Sequence, residues 1–281
     1  MAYHRIYRYT AIGRALDPSW PSNKAVLILM PLGGILGAVA AWTAGSSGLD
    51  LMWAAVKLVL TVFASWALAR ELDPDDSPAA FISMAVAVAV ALTVADPGIL
   101  IVFVTLGLVR IVNRSTGMMA RRSDSLLITL LAIFVMYSQD SPFFGAVAAL
   151  AFMLDGSLKQ PSRPQWIFAL VCLGGTVVYM VDYDVGLGYL AAPDSLFEWL
   201  SLLFLLLFAL DTLLLKNVSS IGDTGGRPLD PARVRGGMAV GLFAALQGIG
   251  RPESVAIIVA AIAGIGIGMA VRKAFKAPAA G

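Results

Sequence analysis

The chain falls into ten runs of apolar residues separated by short polar stretches: 25–44, 51–69, 79–95, 99–112, 126–138, 143–154, 167–181, 196–215, 238–249 and 255–271. None shows the period-two alternation of apolar and polar side chains that a lipid-facing barrel strand needs, so each is expected to be a helix. The pattern predicts an all-α, polytopic transmembrane helix bundle over 25–271. A basic, aromatic segment, 1–24, precedes it and a short tail, 272–281, follows.

Composition agrees with this reading. Of 281 residues, 59% are hydrophobic and 14% charged, whereas a soluble domain carries about a quarter charged residues. The first apolar run has 20 residues, longer than the roughly 7 to 15 of a signal-peptide core, so it is expected to remain as an anchor.

Charge sets the orientation. If the ten runs alternate across the bilayer, eighteen of the twenty Lys and Arg residues fall on one side with nine acidic residues, a net +9. The other side holds Arg251 and eight acids, a net −7, while Lys57 and Asp211 lie within runs. Basic loops face the cytoplasm, so both termini are expected there and the protein is expected in the cell (inner) membrane.

Runs four, five, six and nine have only 12 to 14 residues, whereas crossing a 30 Å core takes about 20. Either these helices extend into flanking polar residues, or 79–112 and 126–154 form re-entrant hairpins. The hairpin tips would be Asp96, Pro97 and Gly98 in the first and Gln139, Asp140, Ser141 and Pro142 in the second. The pairs Gly33/Gly37, Gly237/Gly241 and Gly264/Gly268 have the small-xxx-small spacing of close helix contacts. They suit internal packing of runs one, nine and ten, or else a homo-oligomer or membrane-protein partner. A Leu-Asp pair recurs at 72–73, 154–155 and 229–230, a weak trace of duplication.

Candidate chemistry is sparse. One cysteine, Cys172, excludes a disulfide framework, and the only histidine, His4, precedes the first run. His-ligated haem, copper or zinc in the membrane is therefore excluded, and no cofactor is expected. Lys57 lies about 9 Å below the outer end of its helix, within reach of the interface by snorkelling. An ionisable group there is also a functional candidate, and Lys57, Asp96, Asp140 and Asp211 are the candidates for a polar path. Tyr179, Asp182, Asp184, Asp194 and Glu198 form an acidic, aromatic group suited to an outer vestibule for a cation. Arg110, Arg114, Arg121 and Arg122 could clamp anionic lipid head groups. Asp73, Asp75 and Asp76 form a weak candidate divalent site, although Asp76 or Ser77 also suits an N-cap. Nucleic acid is not implied.

The placement of Asp73, Asp75, Asp76 and Asp155 after the second and sixth helices resembles the aspartate-rich loops of UbiA-type prenyltransferases. That resemblance would imply a lipid- or prenyl-modifying enzyme holding magnesium diphosphate. The family spaces its acidic residues four apart, but Ala69 and Lys159 stand at those positions, so membership is not assigned. Ten helices with both ends inside also resemble drug/metabolite transporters in architecture. The functional expectations are a permease for a small polar or cationic solute, a structural or assembly subunit of a membrane complex, or a lipid-modifying enzyme using cytoplasmic carboxylates.

Overall fold

The computed structural model describes residues 5–94, 98–185, 192–224, 226–249 and 252–275. The described residues form ten α-helices: α1 (Pro21–Thr43), α2 (Leu49–Leu72), α3 (Ser77–Thr93), α4 (Ile99–Asn113) and α5 (Arg122–Ser138), then α6 (Phe144–Ser157), α7 (Gln165–Asp182), α8 (Leu196–Leu214), α9 (Pro231–Leu246) and α10 (Pro252–Phe275). Each apolar run becomes one of them. Five helices, α1, α2, α7, α8 and α10, are long and apolar enough to cross a membrane, which marks a helical membrane protein.

The short helices α4 and α9 lie inside, and the long, apolar α1, α7 and α8 lie outside. α4 and α9 pack on each other at the centre. α2, α10 and α8 cover one side of them and α6, with α7 and α5 behind it, covers the other. α4 is buried along most of its length. At 15 residues it is only about 22 Å long, a length that protein neighbours rather than lipid make tolerable. The apolar window of α10 is 72% buried whereas that of α1 is 22% buried. The expectation that run one would be enclosed by neighbours is corrected: α1 leans on α2, with slight contact to α3, and turns Leu32, Ile35 and Val39 outward.

The small-residue pairs are covered within the chain. A β-carbon on Gly33 would come 2.8 Å from Val62 of α2, and on Gly268 2.7 Å from Ala79 of α3. On Gly264 it would come 2.6 Å from the Ser83 α-carbon, and on Gly237 it would run into the Asn113 amide. These glycines let helices of one chain touch, which leaves none of the three pairs free as a partner face.

The short runs resolve unevenly. α5 and α9 extend into polar sequence, starting at Arg122 and Pro231, while α4 and α6 stay at 15 and 14 residues. α2 measures about 36 Å and α3 about 26 Å. Because a short loop joins them, α3 stops below the far end of α2. There Lys57, eight residues into α2, donates to the Val94 carbonyl at 3.3 Å.

Candidate functional site

One end of the bundle carries a layer of charge. The 5–16 segment, the α2–α3, α4–α5, α6–α7 and α8–α9 loops and the last turn of α10 meet there. Contacts joining Arg14, Glu71, Arg110, Asp155, Asp223 and Arg272 establish this. The four loops and both terminal segments on which the charge count placed basic residues thus share one end.

Two buried carboxylates organise the layer. Glu71, in the last turn of α2, accepts from Arg14 at 3.1 Å and from Arg110 of α4 at 3.0 Å. Asp155, near the end of α6 and fully buried, accepts from Arg114 Nε at 2.9 Å, Arg233 at 2.7 Å and the Gln165 amide at 3.1 Å. Arg110 and Arg114 stand one turn apart at the end of α4, so this helix is clasped to α2 on one side and α6 on the other. Arg233 also donates to the Val112 and Lys159 carbonyls, at 2.8 and 2.7 Å. Each carboxylate lies between two guanidiniums, the charge-assisted geometry that makes burial of an ion tolerable.

The N-terminal segment is stitched across this layer. Ala11 N–H donates to Asp124 at 2.9 Å, and Thr116 donates to the Ala11 carbonyl at 2.6 Å. Arg121 donates to the carbonyls of Tyr7 and Arg8, both at 2.7 Å. Tyr7 and Arg14 both reach Asp223 in the α8–α9 loop. Arg110, Arg114 and Arg121, expected as clamps for lipid phosphate, are therefore engaged by the protein's own carboxylates and carbonyls. Arg122, exposed like Arg121, is the one of the four with no side-chain partner among the described residues.

Beside the network lies a cavity of about 270 Å³, walled by Asp73, Asp75, Asp211, Lys216, Arg272 and Lys273 with a floor including Leu72, Val234, Met238 and Met269. Arg272 bridges Asp73 at 3.2 Å and Asp76 at 3.0 Å, and Lys273 pairs with Asp211. Burial pushes the Asp73 carboxyl up to about 6, Arg272 working against this and Asp76, Asp75 and Asp211 adding to it. Asp75 is held below the usual carboxylate range despite partial burial, because it accepts from the N–H groups of Ser219 and Ser220 and the Ser220 hydroxyl. Asp76 caps α3 through the Ala79 N–H at 3.2 Å.

The three aspartates proposed as a divalent site are thus directed to an arginine, a loop backbone and a helix start. Among the described residues no three His, Cys, Asp or Glu side chains are placed to hold a metal ion. Asp73 and Asp76 instead face the same Arg272 guanidinium, at 3.2 and 3.0 Å.

At the opposite end the acidic, aromatic group only partly assembles. Tyr179 donates to Asp140, which sits in a left-handed turn at φ 48°. Tyr179 stacks on Tyr183 at 4.5 Å between ring centres and meets Tyr137 edge-on at 4.9 Å. Asp182, Asp184 and Asp194 are exposed. Glu198 is not part of an open vestibule: it is buried and accepts from Asp194 N–H at 2.9 Å, while the Ser195 hydroxyl accepts from Glu198 N–H at 3.2 Å and caps α8. Asp96 lies outside the described residues. Lys57 and Asp140 are at this end and Asp211 at the charged end.

The sequence pattern singled out Asp155 but not its pairing with Arg233, nor the roles of Arg14, Glu71 and Asp223. The available signal was the nine acids on the face where positive charge is the rule.

No protein-family model, curated relative or solved structure matches the chain.

Proposed function

We propose that this is a multi-pass protein of the cell membrane, with the charged end and both termini in the cytosol. It works as a permease for a small polar or cationic solute. The cavity at the charged end carries the reading: it places Asp73 and Asp211 against Arg272 and Lys273, cations a solute could displace, over an apolar floor. At the other end Tyr137, Tyr179, Tyr183 and Asp140 close over one another. An alternating-access carrier closed at that end and open to the cytosol is the state this reading expects. Lys273 is 60% exposed along its side chain, so its pair with Asp211 is weakly held and exchangeable.

Two other readings draw less support. A magnesium-using lipid enzyme would need carboxylates that here are bound to Arg272, Ser219 and Ser220. An assembly subunit would have to present a face other than the covered glycine pairs. The test is flux into proteoliposomes of purified protein under an imposed proton gradient, using a panel of small organic cations and amino acids. Saturable uptake of a panel member that Asp211→Asn abolishes, with thermal stability retained, is the expected result. Flux no greater than in empty liposomes across the panel, or flux indifferent to Asp211→Asn, would refute the reading.

A further inference from the structure

A second cavity, about 420 Å³, opens where the starts of α5 and α7 come together, and Arg122, Arg163, Pro164, Ile167 and Phe168 line it. Both arginines are exposed, and neither has a hydrogen bond or ion pair through its side chain among the described residues. This sets them apart from Arg14, Arg110, Arg114, Arg233 and Arg272, each of which meets a carboxylate. Two free guanidiniums over an apolar floor call for a ligand that is anionic at one end and greasy at the other.

The surface below the cavity fits the greasy part. α7 turns Ile167, Leu170, Val171, Val178 and Val181 outward along one stripe. Gly174 interrupts that stripe, with open space where a β-carbon would stand. From Ile167 to Val181 the stripe runs about 21 Å, more than the ~15 Å depth of one leaflet of a 30 Å hydrocarbon core. Trp166, 44% exposed beside the cavity, is a residue type that settles at the membrane–water boundary.

We infer that Arg122 and Arg163 form the head-group site of an anionic phospholipid whose acyl chain lies along α7 over Gly174. The inference rests on the bundle lying in a membrane, and it is independent of solute transport. Arginine suits the phosphate because its planar fork gives paired hydrogen bonds to adjacent oxygens. A free phosphate would leave Ile167, Phe168 and the stripe unused, which favours the lipid.

The test uses the full chain in neutral detergent, with phosphatidylglycerol added and bound lipid counted by native mass spectrometry. Phosphatidylcholine serves as the neutral probe. At the attraction typical of one basic residue near an anionic surface, Arg122→Gln with Arg163→Gln should weaken phosphatidylglycerol binding about 30-fold. Arg235→Gln, an exposed arginine elsewhere at the charged end, should leave it within about twofold. Gly174→Leu should weaken phosphatidylglycerol retention by filling the notch, and millimolar inorganic phosphate should not displace the lipid. Because the arginines have no partners to lose, thermal stability of the double variant should match the wild type. The inference is overturned if Arg235→Gln weakens binding as much as the double variant, if phosphatidylcholine binds equally, or if inorganic phosphate competes and Gly174→Leu has no effect.

Discussion

Neutralising Asp155 should damage this protein more than any other single charge change. Its carboxylate is fully buried and is shared by Arg114 and Arg233, whose side chains are only 8% and 6% exposed. Asp155→Asn keeps the shape and one acceptor but leaves two buried guanidiniums without a counter-charge. Arg233 retains the Val112 and Lys159 carbonyls, so the larger loss falls on Arg114, whose guanidinium pairs with Asp155. Breaking one side of a buried pair costs about 3 to 5 kcal/mol. At about 2 °C per kcal/mol for a chain of this size, the midpoint should fall by roughly 6 to 10 °C. Thermal unfolding in mild detergent, followed by tryptophan fluorescence and size-exclusion survival, measures this. Lys273→Gln, which opens the exposed pair with Asp211, should move the midpoint by no more than about 2 °C. Combining Arg114→Gln with Asp155→Asn should cost less than the sum of the single changes, because the more exclusively paired of the two orphaned charges is then gone. Equal midpoints for Asp155→Asn and Lys273→Gln, or strict additivity in the double variant, would refute the clasp.

Other outcomes follow from single contacts. Gly237→Ala should destabilise by about 1 to 3 kcal/mol, because the new methyl meets the Asn113 amide, whereas Gly174→Ala, facing open space, should be tolerated; paired melting curves check this. Asp73 has a carboxyl raised from 3.8 to about 6, so the folded state holds its proton more tightly than the unfolded chain. Its stabilising effect is complete below about pH 4 and is lost as pH rises through 6. Asp73→Asn should therefore be less sensitive than the wild type to a shift from pH 4 to pH 7.5, and a stability difference between the two proteins that is independent of pH would contradict that environment. Lys57→Met removes the hydrogen bond to the end of α3 and should cost about 0.5 to 1.5 kcal/mol. A larger loss of flux than of stability, restored in Lys57→Arg, would add a role in transport.

The helices were readable because lipid-facing and tightly packed helices both demand apolar residues, and the breaks between runs are polar. The largest boundary error is at α9, expected from 238 but beginning at Pro231. Arg233 and Arg235 read as loop residues, yet Arg233 is buried in the helix because Asp155 neutralises it. That pairing spans 78 positions, and no local pattern reveals it. Arg110 and Arg121 misled for the same reason: their charge marked the face correctly but not the partner. Glu198 read as a vestibule acid because exposure was inferred from its polar neighbours, although Ser195 three positions earlier already carried the capping signature. The recessed end of α3 was not legible, because the second and third apolar runs have 19 and 17 residues and only the polar ends of α2 lengthen it to 24.

Side-specific cysteine labelling tests the membrane arrangement on which all of this stands. Cys172 is buried, so new cysteines can be read against a low background. Lys159→Cys at the charged end and Asp182→Cys at the opposite end, both at exposed positions, would be treated with an impermeant maleimide in right-side-out and inverted membrane vesicles. Asp182→Cys should be labelled only in right-side-out vesicles and Lys159→Cys only in inverted ones. Labelling of both from the same side, or the reversed pattern, would contradict that arrangement.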